Sequence, residues 1–447
     1  MGCDIKNPVV QDQAEAALPL PPSGGVAEPD TETDTEVKQE KDRGNVDTET
    51  YPEGGLKAWL NMLGAFCAMA CTFGWISTFG VFQAYYHTHL LKENTHSQIA
   101  WIGGLQAFFI CTTGLISGPL VDRYGLKPIL VPFSLLALLS VMLTSICKEY
   151  YQFILTQGVL GGFSVGMLYT PSISIMGHYF HRRRDLAIAV ASAGSPLGGV
   201  IFPIALLQML EHSRIGFGWA VRGVGLIFLF FLCIACATLT PRVTPRRGPH
   251  FLSAAFKDPV YVSQLVGYCL VFWGIYTPFF FLPSFAIRHS VSVDWAFYIL
   301  PIYNTGSFVG RIICGRLTTI CGRFNTLLAA ILVSAVLMFC WLAATSLAGI
   351  IVFAVVFGFS SGAIIGLFPA AVAVTAPQAN QIGTYLGMTM GVLGLFCLTS
   401  SPMMGAIVTR SGGRYDEAII FSAVLIVVGG SLIVFARVKH SGWKLVA

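Results

Sequence analysis

The chain has 447 residues, 55% of them hydrophobic and only 11% charged, with a mean hydropathy of +0.70 and a formal net charge of +5. A water-soluble domain is about a quarter charged, so too little polar surface remains here to cover a globule in water. Thirteen of the 22 Asp and Glu fall in residues 1–53, which makes the basic excess of the body a membrane-topology signal and excludes a nucleic-acid footprint.

Residues 1–53 are rich in Pro, Gly, Thr, Glu and Asp and almost free of aromatics. Such a segment cannot bury enough apolar surface to fold, so a disordered acidic cytosolic tail is expected. It lacks the basic start and apolar stretch of a secretory leader. From Trp59 onward the apolar runs predict twelve spans: 59–82, 98–120, 128–147, 152–177, 186–210, 217–239, 259–283, 295–317, 324–345, 348–374, 382–408 and 417–437. Runs of roughly 20 apolar residues suit spanning helices, whereas barrel strands are alternating segments of about 10. The predicted fold class is an all-α membrane protein with twelve transmembrane helices in two pseudo-symmetric six-helix bundles.

Lys and Arg set the orientation. With the N-terminus inside, fifteen fall on cytosolic linkers or ends and six outside, so both termini are expected in the cytosol. The stretch 240–257, with Pro241, Pro245, Arg246, Arg247 and Pro249, reads as a cytosolic linker between bundles 54–239 and 258–447. A faint repeat supports the division. Gly118 and Gly125 stand seven apart at the end of the second span, and Gly315 and Gly322 at the end of the eighth.

The motif Gly118-x-x-x-Asp122-Arg123-x-Gly125-x-Lys127 resembles the loop motif of the major facilitator superfamily. It implies a conformational switch, in which glycines permit close helix approach, Asp122 takes a helix end or a basic group across the halves, and Arg123 and Lys127 meet anionic lipid or a carboxylate. Within that superfamily the chain is similar to the monocarboxylate-transporter-like family, above all its fungal members. Glu53-Gly-Gly-Leu-Lys-Ala-Trp59 and Tyr179-Phe-His-Arg182-Arg183-Arg184-Asp185-Leu-Ala187 carry that likeness, and Arg182 and Arg183 join the expected switch. The resemblance implies a central cavity working by alternating access. Animal members bind a carboxylate and its proton with a Lys in span one and an Asp and Arg in span eight. Here Ser77 falls near the Lys position, Ser307 at the Asp position, and Arg311 at the Arg position. One of three charged groups survives, which argues against that proton-coupled mechanism.

Arg311 is therefore the first expected solute contact. A cation inside a span costs about 2.5–3.5 kcal/mol on insertion scales and faces a cavity or partner, and its planar fork suits a carboxylate. The alternative is that it snorkels to the cytosol. Asn304, Ser307, Ser77 and Tyr169 are the polar companions expected near mid-membrane, with Trp273 and Tyr276 as aromatic ones. The bland alternatives are hydroxyls bonded to their own helix and aromatics that only fill space.

No catalytic residue, metal ligand set or cofactor motif is visible. Cys233 and Cys236 have CxxC spacing but no second pair nearby, and buried cysteine is a small hydrophobe. The expected function is transport of a small organic, anionic solute by a monomer embedded in lipid, in the plasma membrane or alternatively the vacuolar membrane. With no mid-membrane carboxylate, a proton requirement is not expected. The rival is a non-transporting nutrient receptor on the same scaffold, separable by deleting residues 1–50 and asking whether signalling is lost where no solute flux exists.

Overall fold

Apolar runs of this length fold as helices because hydrocarbon offers backbone amides no other partner. The computed structural model describes residues 54–180, 183–211, 215–242, 252–376 and 381–442. The expected tail, Arg182 and linker residues 243–251 lie outside the described residues, as does the side chain of Asp122.

Among the described residues twelve long helices follow one another, and we number them in chain order. The first half holds α1 Leu56–Leu90, α2 Gln98–Val121, α3 Lys127–Thr144, α4 Tyr150–Ser174, α5 Arg184–Glu211 and α6 Gly216–Thr238. The second half holds α7 Pro259–Arg288, α8 Val293–Cys321, α9 Arg323–Trp341, α10 Leu347–Thr375, α11 Ile382–Arg410 and α12 Asp416–His440. Eleven helices among the described residues are long and apolar enough to cross a bilayer by composition alone. The twelfth expected span, α8, falls outside that set because it carries Asp294, Asn304, Arg311 and Arg316. Its 29 residues reach about 43 Å at 1.5 Å per residue, enough to span. Two of these groups, Asn304 and Arg311, line the cavity between the halves.

Local signals explain the helix ends. Thr95 and Gln98 form a reciprocal capping box at the start of α2. Asp258 accepts from the Val260 amide at 2.9 Å, with Pro259 in the first turn of α7. The repeat seen in sequence has a backbone counterpart. Gly125 and Gly322 both stand at φ 84°, closing α2 and α8, a conformation that side chains with a Cβ rarely adopt.

The outer surface is apolar at mid-helix. Leu135, Leu226, Phe230, Leu332 and Val352 are each more than 60% exposed, which is stable only against lipid. Polar side chains such as Gln106, Asn304 and Arg311 are buried instead. The two halves meet chiefly where α2 lies along α11 and α5 along α8. A Cβ on Gly118 would stand 3.4 Å from the Gly383 carbonyl, and Asp185 at the start of α5 pairs with Arg323 at the start of α9 at 3.3 Å.

This ion pair sits at one end of the halves' interface and is only partly buried, so each partner carries a small part of closure, about 0.5–1 kcal/mol. Asp185→Asn and Arg323→Gln are each expected to shift the open–closed balance about 2- to 5-fold, and together no further. Distance measurements between spin labels on the C-terminal ends of α4 and α10 read the balance. Fully additive shifts would remove the pair from the closure.

Candidate functional site: a central cavity between the halves

A cavity enclosing about 630 Å³ of space, open solvent included, lies between α1, α4 and α5 of the first half and α7, α8, α10 and α11 of the second. Six of the seven expected contacts line it: Arg311, Asn304, Ser307, Ser77, Tyr169 and Tyr276. Trp273 does not. It sits about 100° round α7 from its neighbour Phe272, and its ring is edge-on to Phe396 at 5.6 Å and Phe421 at 6.3 Å. Phe272, Ile275, Tyr276 and Phe279, at helical spacing, are the face that α7 turns inward.

Arg311 is 5% exposed. Its Nη1 donates to the backbone carbonyl of Ser192 on α5 at 2.5 Å, while its Nε has no hydrogen-bond partner. It is therefore buried between the halves and does not snorkel to the cytosol. None of the lining residues is Asp, Glu or His, so a buried cation faces the cavity with no lining carboxylate to neutralise it. In a low-dielectric site such a group attracts an anion strongly.

The other polar groups are arranged around it. Asn304 Nδ2 donates to the Gly199 carbonyl of α5 at 3.2 Å. Tyr303 shares a 2.7 Å hydrogen bond with Ser361. Ser77 donates to the Phe73 carbonyl of its own helix at 3.1 Å, and Ser195 Oγ is buried without a partner. Gly199 keeps this region open, since a Cβ there would stand 2.8 Å from Asn304 Nδ2 and 2.9 Å from Ser77 Oγ. Apolar walls complete the cavity: Phe73, edge-on to Tyr169 at 5.2 Å, and Phe368, edge-on to Phe272 at 5.1 Å. The chemistry on offer is one charge, a few hydrogen bonds and a broad aromatic surface.

Tyr303, Phe279, Ser195 and Met390 also line the cavity without having been expected there. Tyr303 was within reach of sequence reading. Residues 303, 307 and 311 lie four apart, on one face of α8.

The described residues of the expected switch lie at the end of α2, the start of α3 and just before α5. Gly118 lies against α11, and Arg123 is exposed with its guanidinium 5.3 Å from the Tyr124 ring. Lys127 was expected to meet lipid or a carboxylate. It donates instead to the Cys236 carbonyl, one of the last-turn carbonyls of α6 that have no helical partner. Arg183 stands just before α5. Arg222 donates to Ser145 Oγ at 3.1 Å and lies over Trp219, away from the cavity. Cys233 and Cys236 are free, and among the described residues no group of His, Cys, Asp and Glu could hold a metal.

Twelve helices among the described residues, in two facing sets around a largely aromatic cavity that holds one buried cation, define a secondary transporter of small organic solutes. Residues 62–395 match the Major Facilitator Superfamily, and the chain belongs to it. It is 44% identical over 397 residues to the aspyridones efflux protein apdF of Emericella nidulans, covering 89% of this chain and 81% of that one. It is 37% identical over 416 residues to the MFS transporter asaE of Aspergillus flavus, covering 92% and 93%. The fujikurins efflux protein of Gibberella fujikuroi is 33% identical over 439 residues, covering 96% and 94%. Among solved structures, the human organic anion transporter MFSD10 superposes with a TM-score of 0.64 at 14% identity, over 84% of this chain and 98% of that one. FucP, in an outward conformation, gives 0.65 at 15% identity over the same shares. At these identities the likeness speaks for the fold alone.

Proposed function

We propose that this transporter exports an amphipathic organic anion, with the acidic group held by Arg311 and the apolar body against the aromatic walls. The observation that carries the reading is the buried guanidinium, with an unpartnered Nε, in a cavity lined by no acidic residue. Export is favoured because two of the relatives are named as efflux proteins for natural products. A fungal secondary metabolite carrying a carboxylate or similar acid fits both considerations. We take the protein to act as a monomer in the plasma membrane, since one chain builds the whole cavity. The finer placement in a fungal, monocarboxylate-transporter-like branch rests on the segments around Trp59 and Asp185 and on Arg311.

The energetics suit export without protons. An inside-negative potential favours outward movement of a monoanion by about 2.3 kcal/mol per 100 mV, or about a 50-fold concentration ratio. The expected cycle moves the two halves about the cavity and carries one net negative charge outward per turnover.

The test uses the purified protein in liposomes, with a panel of aromatic carboxylic acids and their methyl esters. Acids are expected to move at least about 10-fold faster than their esters, as the loss of a charge-assisted hydrogen bond predicts. Flux should rise with an imposed potassium diffusion potential and be unaffected when an uncoupler collapses the pH gradient. Equal flux of acids and esters would exclude anion selectivity. Flux that needs a pH gradient at zero potential would exclude the uncoupled cycle.

A further inference from the structure

The two hydrogen bonds from α8 to α5 land on carbonyls that proline has set free. In an α-helix the carbonyl of residue i accepts from the amide of residue i+4, and proline has no amide hydrogen. Pro196 therefore leaves the Ser192 carbonyl without its helical donor, and Pro203 leaves the Gly199 carbonyl without one. The first is taken by Arg311 Nη1 at 2.5 Å and the second by Asn304 Nδ2 at 3.2 Å.

The spacings agree at every level. The prolines are seven residues apart, the freed carbonyls are seven apart, and the donors are seven apart. Seven residues are close to two helical turns, so both carbonyls lie on one face of α5 and both donors on one face of α8. An unpaired carbonyl is costly in a membrane protein's interior. The freed groups and the buried donors thus satisfy one another.

We propose that Pro196 and Pro203 are positioning residues: each frees a carbonyl that orients a polar side chain of the solute cavity and tethers the two halves. With one N–H of Arg311 fixed to Ser192, the guanidinium is held in place and its Nε stays unpartnered in the buried site. This role does not depend on what the solute is.

The test is a set of double-mutant cycles on thermal unfolding of the purified full-length protein in detergent, without any solute. Matched pairs are Pro196→Ala with Arg311→Ala, and Pro203→Ala with Asn304→Ala. Mismatched pairs exchange the partners. In the Arg311→Ala background the Ser192 carbonyl has lost its donor, and Pro196→Ala supplies a backbone N–H to it. Pro196→Ala is therefore expected to be more favourable there than in the wild type, by about 2 °C or more in Tm. The second matched pair should behave likewise, and mismatched pairs should be additive to within about 1 °C. If prolines act only by bending α5, matched and mismatched pairs will give the same coupling, and the proposal fails.

An ester in place of the amide between Ser195 and an alanine-like residue 196 separates the missing N–H from the proline ring. It is expected to retain coupling to Arg311 as Pro196 does. An ester that behaves as Pro196→Ala overturns the assignment even where one of the alanine variants unfolds too readily to measure. Since no solute enters either measurement, failure here is distinct from failure of the export reading.

Discussion

Arg311→Ala is expected to lower kcat/KM for an anionic solute by roughly 30-fold or more at equal surface expression, and Arg311→Lys by roughly 10-fold. Truncating one member of a desolvated charge pair costs about 2–5 kcal/mol, and each 1.4 kcal/mol is a factor of ten. Arg311 is 5% exposed and no acidic residue lines its cavity, so no neighbouring carboxylate competes with the solute for it. Lysine keeps the charge but not the planar fork, and cannot both donate to Ser192 and present a second N–H in the same plane. The methyl ester of the solute should be much less sensitive to either change, because it lacks the charge that Arg311 meets. Solute uptake into inverted vesicles, corrected for protein amount, reads the effect. Unchanged kinetics for both variants would remove Arg311 from the site.

What could be read from sequence follows from how each helix is solvated. Apolar runs locate helices at membrane depth, which is why the twelve expected spans differ from the observed helices mainly at their ends. The largest extension is α1, which runs on to Leu90 through His87 and His89. Helix rotation is another matter. A helix apolar all round has no periodic signal to say which face turns inward. On α7, Trp273 and Tyr276 are both aromatic and both at mid-membrane, and only one of them lines the cavity. On α8 the polar residues break the uniformity, and Asn304, Ser307 and Arg311 all line the cavity. Lys127 was misjudged because its acceptor is a backbone carbonyl at the end of α6, 109 residues away, and carbonyls leave no trace in side-chain pattern. The α5 carbonyls were hidden for the same reason. Pro196 and Pro203 are plain in the sequence, but which side chains take their freed carbonyls depends on how α8 lies against α5.

Gly362→Leu is expected to abolish folded protein at the cell surface, and Gly362→Ala to lower Tm by about 1–3 °C and impair transport. Helices in lipid gain little from hydrophobic exclusion and associate through van der Waals contact, so small residues at the contact decide how closely they approach. The α8–α10 contact is built this way on both sides. A Cβ on Gly358 would stand 2.2 Å from the Tyr303 carbonyl, and one on Gly362 2.5 Å from the Ser307 carbonyl. From the other helix, a Cβ on Gly306 would stand 2.3 Å from the Val355 carbonyl, and one on Gly310 2.1 Å from the Phe359 carbonyl. All four obstacles are backbone, which cannot swing aside as a flexible side chain can, so the helices must separate. Separation costs contact along the seam, about 1–3 kcal/mol for the smallest intrusion. It also carries Tyr303, Ser307 and Arg311 away from their positions, because they ride on the same stretch of α8. The expected transport defect of Gly362→Ala is therefore larger than its stability loss alone would give. Gly80 on α1 is the matched control: a Cβ there meets nothing within 4 Å. Gly80→Ala should leave transport intact and Tm equal or slightly higher, as alanine is the better helix former by about 1 kcal/mol. Wild-type surface level and Tm for Gly362→Leu would mean that α8 and α10 do not meet as closely as their glycines allow.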